Sequence, residues 1–349
     1  MSAGRKTLRS IRMAREAING TRVTPRYLWR GVGDWVVDER EIVKVEELVG
    51  ISGGTDRTYI PKLSATMEIA ETEATYQQLP PLFLALGLGT SGLLPYQGSI
   101  GSNGSWFYGY NVPSTVFQPA VSFTAESGDN IEAQVAVYCV TDELTLSFAA
   151  GEAMKVSATM LAQYGTRTND VGSFSAVGTL EPVRVILSSL GTVYLGRPSD
   201  FAGLGNYQVP AGNILGGEVT FKALWSPKYW VDGGVLYPGT MVITGHEITG
   251  KITLEHQISG TFSAAGSAGQ IEKWRDQEAQ ILNMRWEDAV GNLFLLTLPI
   301  KWDNLQDYGD QDGNNIVTGE FTSKYNEEAG FRGQIRFIMG NPSRILGTA

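Results

Sequence analysis

The chain has 349 residues, a net charge of −9, one cysteine and two histidines. That length suits about two ordinary domains, each able to bury a core of its own. One thiol excludes a disulfide framework or a Cys-rich metal site, two histidines ten positions apart argue against zinc, and no apolar run reaches the roughly 20 residues of a membrane span.

Residues 1–30 hold Arg5, Lys6, Arg9, Arg12, Arg15, Arg22, Arg26 and Arg30 against Glu16 alone, so a basic arm precedes an acidic body. Three readings of the arm stay open: docking on the acidic body of another copy, organelle targeting, or a nucleic-acid tail. Residues 1–19 suit a short helix with Leu8, Ile11 and Ile18 on one side. From Tyr27 to Val49 short β-prone clusters alternate with charge, as in edge strands or a projecting hairpin. After a Gly/Ser loop, Leu63, Ala65, Met67 and Ile69 alternate with Ser64, Thr66 and Glu68, the period of a half-buried strand. Glu71 to Leu79 is a helical candidate ended by Pro80-Pro81, and Leu88 to Thr115 reads as a long surface loop.

Ala120 to Leu161 is the clearest stretch, a meander with turns at Ser127-Gly128-Asp129-Asn130 and Ala149-Ala150-Gly151-Glu152. Cys139 lies in one of its apolar runs and reads as a small core residue; a cytosolic origin fits a lone thiol. Residues 163–182 lose all pattern and form the expected junction. Val183 to Tyr194 resumes with two short strands, and Glu218 to Trp230 alternates again. Ile248, Gly250, Ile252 and Leu254 then repeat the Leu63 to Ile69 pattern 185 residues later. A helix over Gln270 to Leu282 follows, then strands around Met284-Arg285-Trp286, Leu293 to Trp302 and Val317 to Tyr325. The order matches the first half, which predicts two copies of one β-rich unit, each closed by a helix packed on a sheet.

No motif here carries chemistry. Gly87-Leu88-Gly89-Thr90-Ser91-Gly92 has the letters of a dinucleotide loop, yet Pro95 follows and no helix opens there. Asp310 to Asn315 starts like a calcium loop but lacks glycine at the sixth position and glutamate at the twelfth, as expected of a polar hairpin tip. Glu68, Glu71 and Glu73, or Glu126, Asp129 and Glu132, offer carboxylate pairs of the kind any acidic β protein contains. The aromatics Trp106, Phe107, Tyr108 and Tyr110 suit stacking on a sugar or, more readily in an acidic body, interface packing.

Tyr27-Leu28-Trp29-Arg30-Gly31-Val32-Gly33, Glu46-Glu47-Leu48-Val49-Gly50, Arg57-Thr58-Tyr59-Ile60-Pro61 and Ala74-Thr75-Tyr76-Gln77-Gln78-Leu79-Pro80 resemble the N-terminal half of the major tail tube proteins of long-tailed (siphovirus) bacteriophages. The Gly-rich region Gly191 to Gly217, with Glu218-Val219-Thr220-Phe221 after it, is similar to their second half. The resemblance implies a mainly β fold with few helices: a basic arm at 1–26, tail-tube-like β-sandwich or barrel domains at 27–170 and 183–340, a linker at 171–182 and a tail at 341–349. It also implies a structural virion protein, made in the bacterial host cytoplasm, whose rings stack into a hollow tube. With a duplicated unit, three chains would make each ring. The implied partners are further copies of the chain, a tape-measure protein, tail terminator and tail-tip proteins, and passing double-stranded DNA without specific binding. No membrane, cofactor, metal or catalytic residue is implied.

Within that reading Arg5, Arg9, Arg12, Arg15, Trp106, Tyr108 and Tyr110 are expected at contacts between rings. Glu126, Asp129, Glu132, Glu255 and Glu320 are expected to face the lumen. Two other functions fit the same sequence: a carbohydrate-binding or carbohydrate-active β-sandwich, and a tail-terminator or secretion-type tube component.

Overall fold

Strands that alternate apolar and polar side chains bury one face only, so each needs a second layer. The structure, a computed structural model, describes residues 9–47, 57–90, 106–113, 121–129, 131–168, 179–180, 182–196, 198, 214–231, 234–255, 267–311, 313–340 and 343–346. In chain order the first elements are β1 (Ser10–Arg15), β2 (Tyr27–Leu28), β3 (Val37–Lys44), β4 (Thr58–Glu73) and helix α1 (Leu79–Ala85). There follow β5 (Gly89–Thr90), β6 (Trp106–Asn111), β7 (Phe123–Gly128), β8 (Ala133–Ala149), β9 (Lys155–Ala162), β10 (Tyr164–Thr168) and β11 (Thr179–Leu180). Next come β12 (Gly191–Gly196), β13 (Ile214–Lys228), β14 (Thr240–Glu255) and helix α2 (Ser267–Arg275). The chain then forms β15 (Gln280–Glu287), β16 (Leu293–Gln311), β17 (Asn314–Ser323) and β18 (Gln334–Met339).

The fold is mainly β and almost wholly antiparallel. One layer is a continuous sheet of eight strands in the order β3, β4, β9, β8, β13, β14, β17, β16. Behind it, β1, β7, β8 and β10 pair in that order, and β12, β15, β16, β18, β6 and β5 form a second group. The same sequence of neighbours therefore occurs twice. β1-β7-β8-β9-β4-β3 is matched by β12-β15-β16-β17-β14-β13, and one helix follows the hairpin β3–β4 in the first and β13–β14 in the second. Register agrees as well: Leu63 faces Arg40 as Ile248 faces Phe221, and Ile69 faces Ala158 as Leu254 faces Val317.

The two sets share a core. Phe83, on α1 of the first set, lies 5.2 Å from Phe221 and 5.8 Å from Phe337 of the second, with Phe294 at 6.3 Å. Phe148, near the end of β8, packs edge-on against Trp286 at 5.5 Å. Burying aromatic rings of this size contributes about 2–3 kcal/mol each.

β8 belongs to both layers because it bends. Its first half pairs with β7 and β10, its second with β9 and β13, and the register shifts where Tyr138 adopts a φ of 58°. A left-handed residue in a strand takes its amide out of the ladder. Here the buried Glu16 carboxylate accepts that Tyr138 N–H at 2.9 Å, together with the Ser122 hydroxyl at 2.5 Å, the Thr124 hydroxyl at 2.9 Å and the Gly20 N–H at 2.7 Å.

Several elements differ from the sequence expectation. Residues 10–15 form a strand rather than part of a helix, because full-length pairing with β7 outweighs the helix propensity of Arg-Met-Ala-Arg. Pro80 and Pro81 open α1 instead of ending a helix: at the first helical positions the missing N–H is no loss, and β4 continues to Glu73. The expected helix over Gln270 to Leu282 is shorter, and Gln280 onward is strand. The expected loop over Leu88 to Thr115 contains β5 and β6, and β18 lies beyond the last strand read from the sequence. Most of the expected linker, residues 171–178 and 181, lies outside the described residues, as do residues 341–342 and 347–349 of the expected tail.

Replacing Glu16 by Ala strands the buried Tyr138 amide and leaves the Ser122 and Thr124 hydroxyls with Asn19 and the Val23 amide as partners. The expected loss is about 2 kcal/mol of unfolding free energy in urea titrations, with a smaller loss for Glu16→Gln.

Candidate functional site

Alternation gives the eight-stranded sheet one apolar and one polar face. Met67, Ile69, Ala158, Met160, Leu144, Leu146, Val219 and Phe221 point into the core. The intervening residues form rows across the strands on the opposite face. One row is Ser147, Glu218, Lys251, Glu320 and Asn304; another is Thr145, Thr220, Thr249 and Thr322. Thr145 and Thr220 hydrogen bond at 3.1 Å, and Thr253 and Thr318 at 3.3 Å.

Four lysines on this face are paired with carboxylates, and the exposed Lys301 stands beside Thr322 at the end of the threonine row. Lys251 meets Glu218 at 2.8 Å, Lys62 meets Glu41 at 3.3 Å, Lys155 meets Glu71 at 3.2 Å, and Lys222 lies 4.0 Å from Glu143. Glu39, Glu68, Glu247, Asp303 and Glu320 add further negative charge, with Glu39 accepting from Thr66 and Asp303 from Thr322. Exposed pairs of this kind add little stability, but an excess of carboxylates sets the sign of the local field. A shallow cavity of about 300 Å3 on this face is ringed by Glu218, Lys251, Asp303 and Glu320. Among the described residues there is no group of three or more His, Cys, Asp or Glu side chains able to hold a metal ion.

The sheet ends in two edges. β3 pairs with β4, and the C-terminal half of β16 pairs with β17; among the described residues neither has a second strand on its outer side. The β3 side chains are almost all exposed. Within the chain the counterparts of these edges are joined, because β13 is the equivalent of β3, β8 is the equivalent of β16, and they pair over Gly216–Lys222 and Glu143–Ala149.

Of the residues expected at the lumen, Glu255 and Glu320 lie on the polar face. Glu126 is buried on β7 opposite Arg12 and 3.2 Å from Arg22, because both faces of β7 are covered. Asp129 caps the β7–β8 turn by accepting the amides of Ile131 at 2.8 Å and Glu132 at 3.1 Å, and Glu132 pairs with Arg167 at 2.9 Å. Of the residues expected between rings, Arg5 lies outside the described residues, and Arg9 sits over the Trp35 ring at 5.5 Å. Arg12 is buried and Arg15 half-buried, and desolvation lowers the pKa of both guanidinium groups.

Tyr108 and Tyr110 belong to the core. Tyr110 donates to the Pro80 carbonyl at 2.9 Å, the Tyr108 hydroxyl accepts the Ser343 amide at 2.9 Å, and Trp106 packs against the same cluster. These rings give no open stacking platform. The acidic residues missed from sequence, Glu39, Glu143, Glu218 and Glu247, carried a usable signal: each occupies the polar parity of its own strand.

His246 marks the joint between the two sets. Its Nε2–H donates to the Leu86 carbonyl at the end of α1, 2.9 Å away, and its own carbonyl accepts from Arg332. Burial, with Arg332 acting in the same direction, lowers its pKa to about 4 despite the opposing bond to Leu86.

The fold is that of a β-rich, layered protein whose most regular surface is a sheet face rather than a cleft. No family model matches the chain, and the curated proteins give no match. Among solved structures it is similar to the tail of an empty GTA particle with C6 helical symmetry, at 13% identity over 38% of this chain and 92% of that one, with a TM-score of 0.26. It is also similar to the SPP1 tail tube, at 11% identity over 47% of this chain and 87% of that one, again with a TM-score of 0.26. At these values neither likeness assigns the chain to a family.

His246 is held neutral in the folded chain, whereas an unfolded histidine titrates near 6.5, so its contribution is complete above pH ~6.5 and declines as pH falls towards 4. Urea titrations at pH 7 and 4.5 should show wild type losing about 2 kcal/mol more than His246→Gln over that interval.

Proposed function

We propose that the chain is a structural subunit that polymerises through the two edges of its eight-stranded sheet, building rings that stack into a hollow tail tube. The observation that carries this reading is the β8–β13 joint. The chain already contains one complete edge-to-edge union of the two strand sets, and it offers the same pair of edges, β3 and the C-terminal half of β16, at its extremities. An unlike pair of edges propagates head to tail and gives a closed ring when the rotation per subunit permits. Pairing removes free strand edges that otherwise invite aggregation.

Three chains would then close a ring of six strand sets, with each chain divided into the domains at 27–170 and 183–340. The polar face is assigned to the lumen. Its lysines are largely neutralised and its carboxylates are in excess, so a duplex would slide past without the counterion release that basic channels provide. A tape-measure protein, a terminator, tail-tip proteins and transiting double-stranded DNA are the corresponding partners, and the virion tail the corresponding location. The role is architectural rather than catalytic. A carbohydrate-binding function is disfavoured by the burial of Tyr108 and Tyr110.

Register equivalence sets Glu39 of one copy opposite Gly309 of the next. Electron microscopy of concentrated protein should show tubes with a regular ring repeat. In a Glu39→Cys, Gly309→Cys variant, a short thiol-reactive linker should give a covalent ladder ending at a closed trimer, with buried Cys139 silent. Monodisperse monomer in both experiments would defeat the reading.

A further inference from the structure

The joint between the two strand sets involves more than strand pairing. The end of α1 plugs the space between the second set's two layers. Phe83 enters the aromatic cluster of Phe221, Phe294 and Phe337, the Leu86 carbonyl accepts from His246, and a Cβ on Gly87 would touch Trp225 and Ile243 at 3.1 Å. In the first set the equivalent space is open. A cleft of about 610 Å3 lies between β3 and the β8–β10 pair, lined by Trp35, Asp38, Arg40, Gln134 and Arg167 among others. Arg40 stands where the second set has Phe221, as the shared register of β3–β4 and β13–β14 requires.

We propose that this cleft is the socket for helix α2 of a second copy. The inference rests on the head-to-tail reading above and names the contact that locks it. α2 holds the same place beside β16 that α1 holds beside β8: the Trp302 indole donates to Gln270 at 3.0 Å and the Trp274 indole to the Asp303 carbonyl at 3.1 Å. A copy that presented its β16 edge to a neighbour's β3 would therefore carry α2 to the mouth of the neighbour's cleft.

The two plugs differ in chemistry. α1 reads Leu-Pro-Pro-Leu-Phe-Leu-Ala and is wholly buried, whereas the last turn of α2 carries Glu272, Lys273, Trp274 and Arg275. The sockets differ in the same sense, apolar Phe221 and Trp225 against the charged pair Asp38 and Arg40, whose groups lie 2.5 Å apart. A charged socket stays solvated in the free chain, which holds the union between copies open until assembly.

The test uses the full-length chain under assembly conditions. An Arg40→Cys, Arg275→Cys variant, treated with a thiol-reactive linker of roughly 10 Å, should crosslink between copies at least about tenfold faster than the same variant diluted to monomer. The Glu39→Cys, Gly309→Cys pair serves as the reference. Crosslinking at the reference pair without crosslinking at Arg40 and Arg275 overturns the socket while leaving the ring intact; failure at both pairs overturns the socket and the ring together. As a second measurement, Lys273→Glu with Arg275→Glu should slow tube growth by on the order of tenfold, with partial recovery on adding Asp38→Lys. Unchanged growth in the helix variant would also overturn the socket.

Discussion

A bent strand holds this architecture together. β8 serves two layers because the chain turns out of one ladder at Tyr138, and the amide released by that turn is taken up by Glu16 from the far end of the sequence. An orphaned buried amide costs about as much as a lost hydrogen bond with its desolvation, some 1–3 kcal/mol, so the turn and the carboxylate belong together. Without the turn, the half of β8 that meets β13 would continue in the plane of β7. The two strand sets would then have no common sheet.

From that bend follows the division of labour between faces. Side chains on one side of the eight strands pack against the second layer. Those on the other side stay in water and organise as ladders of threonines and alternating charges. The ladders cross from β8 to β13 without interruption, so the polar surface belongs to the whole chain rather than to either half. At the same crossing, apolar contacts from Phe83 and Phe148 set the relative placement of the two halves.

Much of this was legible in the sequence wherever one face of a strand is buried. Met67 and Ile69 against Glu68, and Ile252 and Leu254 against Lys251 and Thr253, gave both the strands and the internal repeat. Legibility failed where both faces are covered or where distant partners decide. β7 is buried on every residue, so the position of Glu126 could not be read from alternation. β6 has the composition of an aromatic loop but is fixed by β18, more than two hundred residues away. The strand at Ile11 and Met13 lies inside a locally helical segment, and Pro80-Pro81 fits a helix start as well as a helix stop. The site suffered similarly: Tyr108 and Tyr110 looked like surface aromatics only because nothing local announces that the Pro80 carbonyl accepts the Tyr110 hydroxyl and that the Ser343 amide donates to the Tyr108 oxygen.

The β8–β13 union lies within one polypeptide, so it forms at an effective concentration set by the chain and not by the solution. An assembly extending that pattern would alternate permanent joints with reversible ones. Mechanical load would then part it along the reversible seams, and substitutions could tune those seams without touching the covalently tethered ones. Fusing two copies of a unit thus frees the two kinds of seam to diverge, a latitude denied to a ring of identical single units.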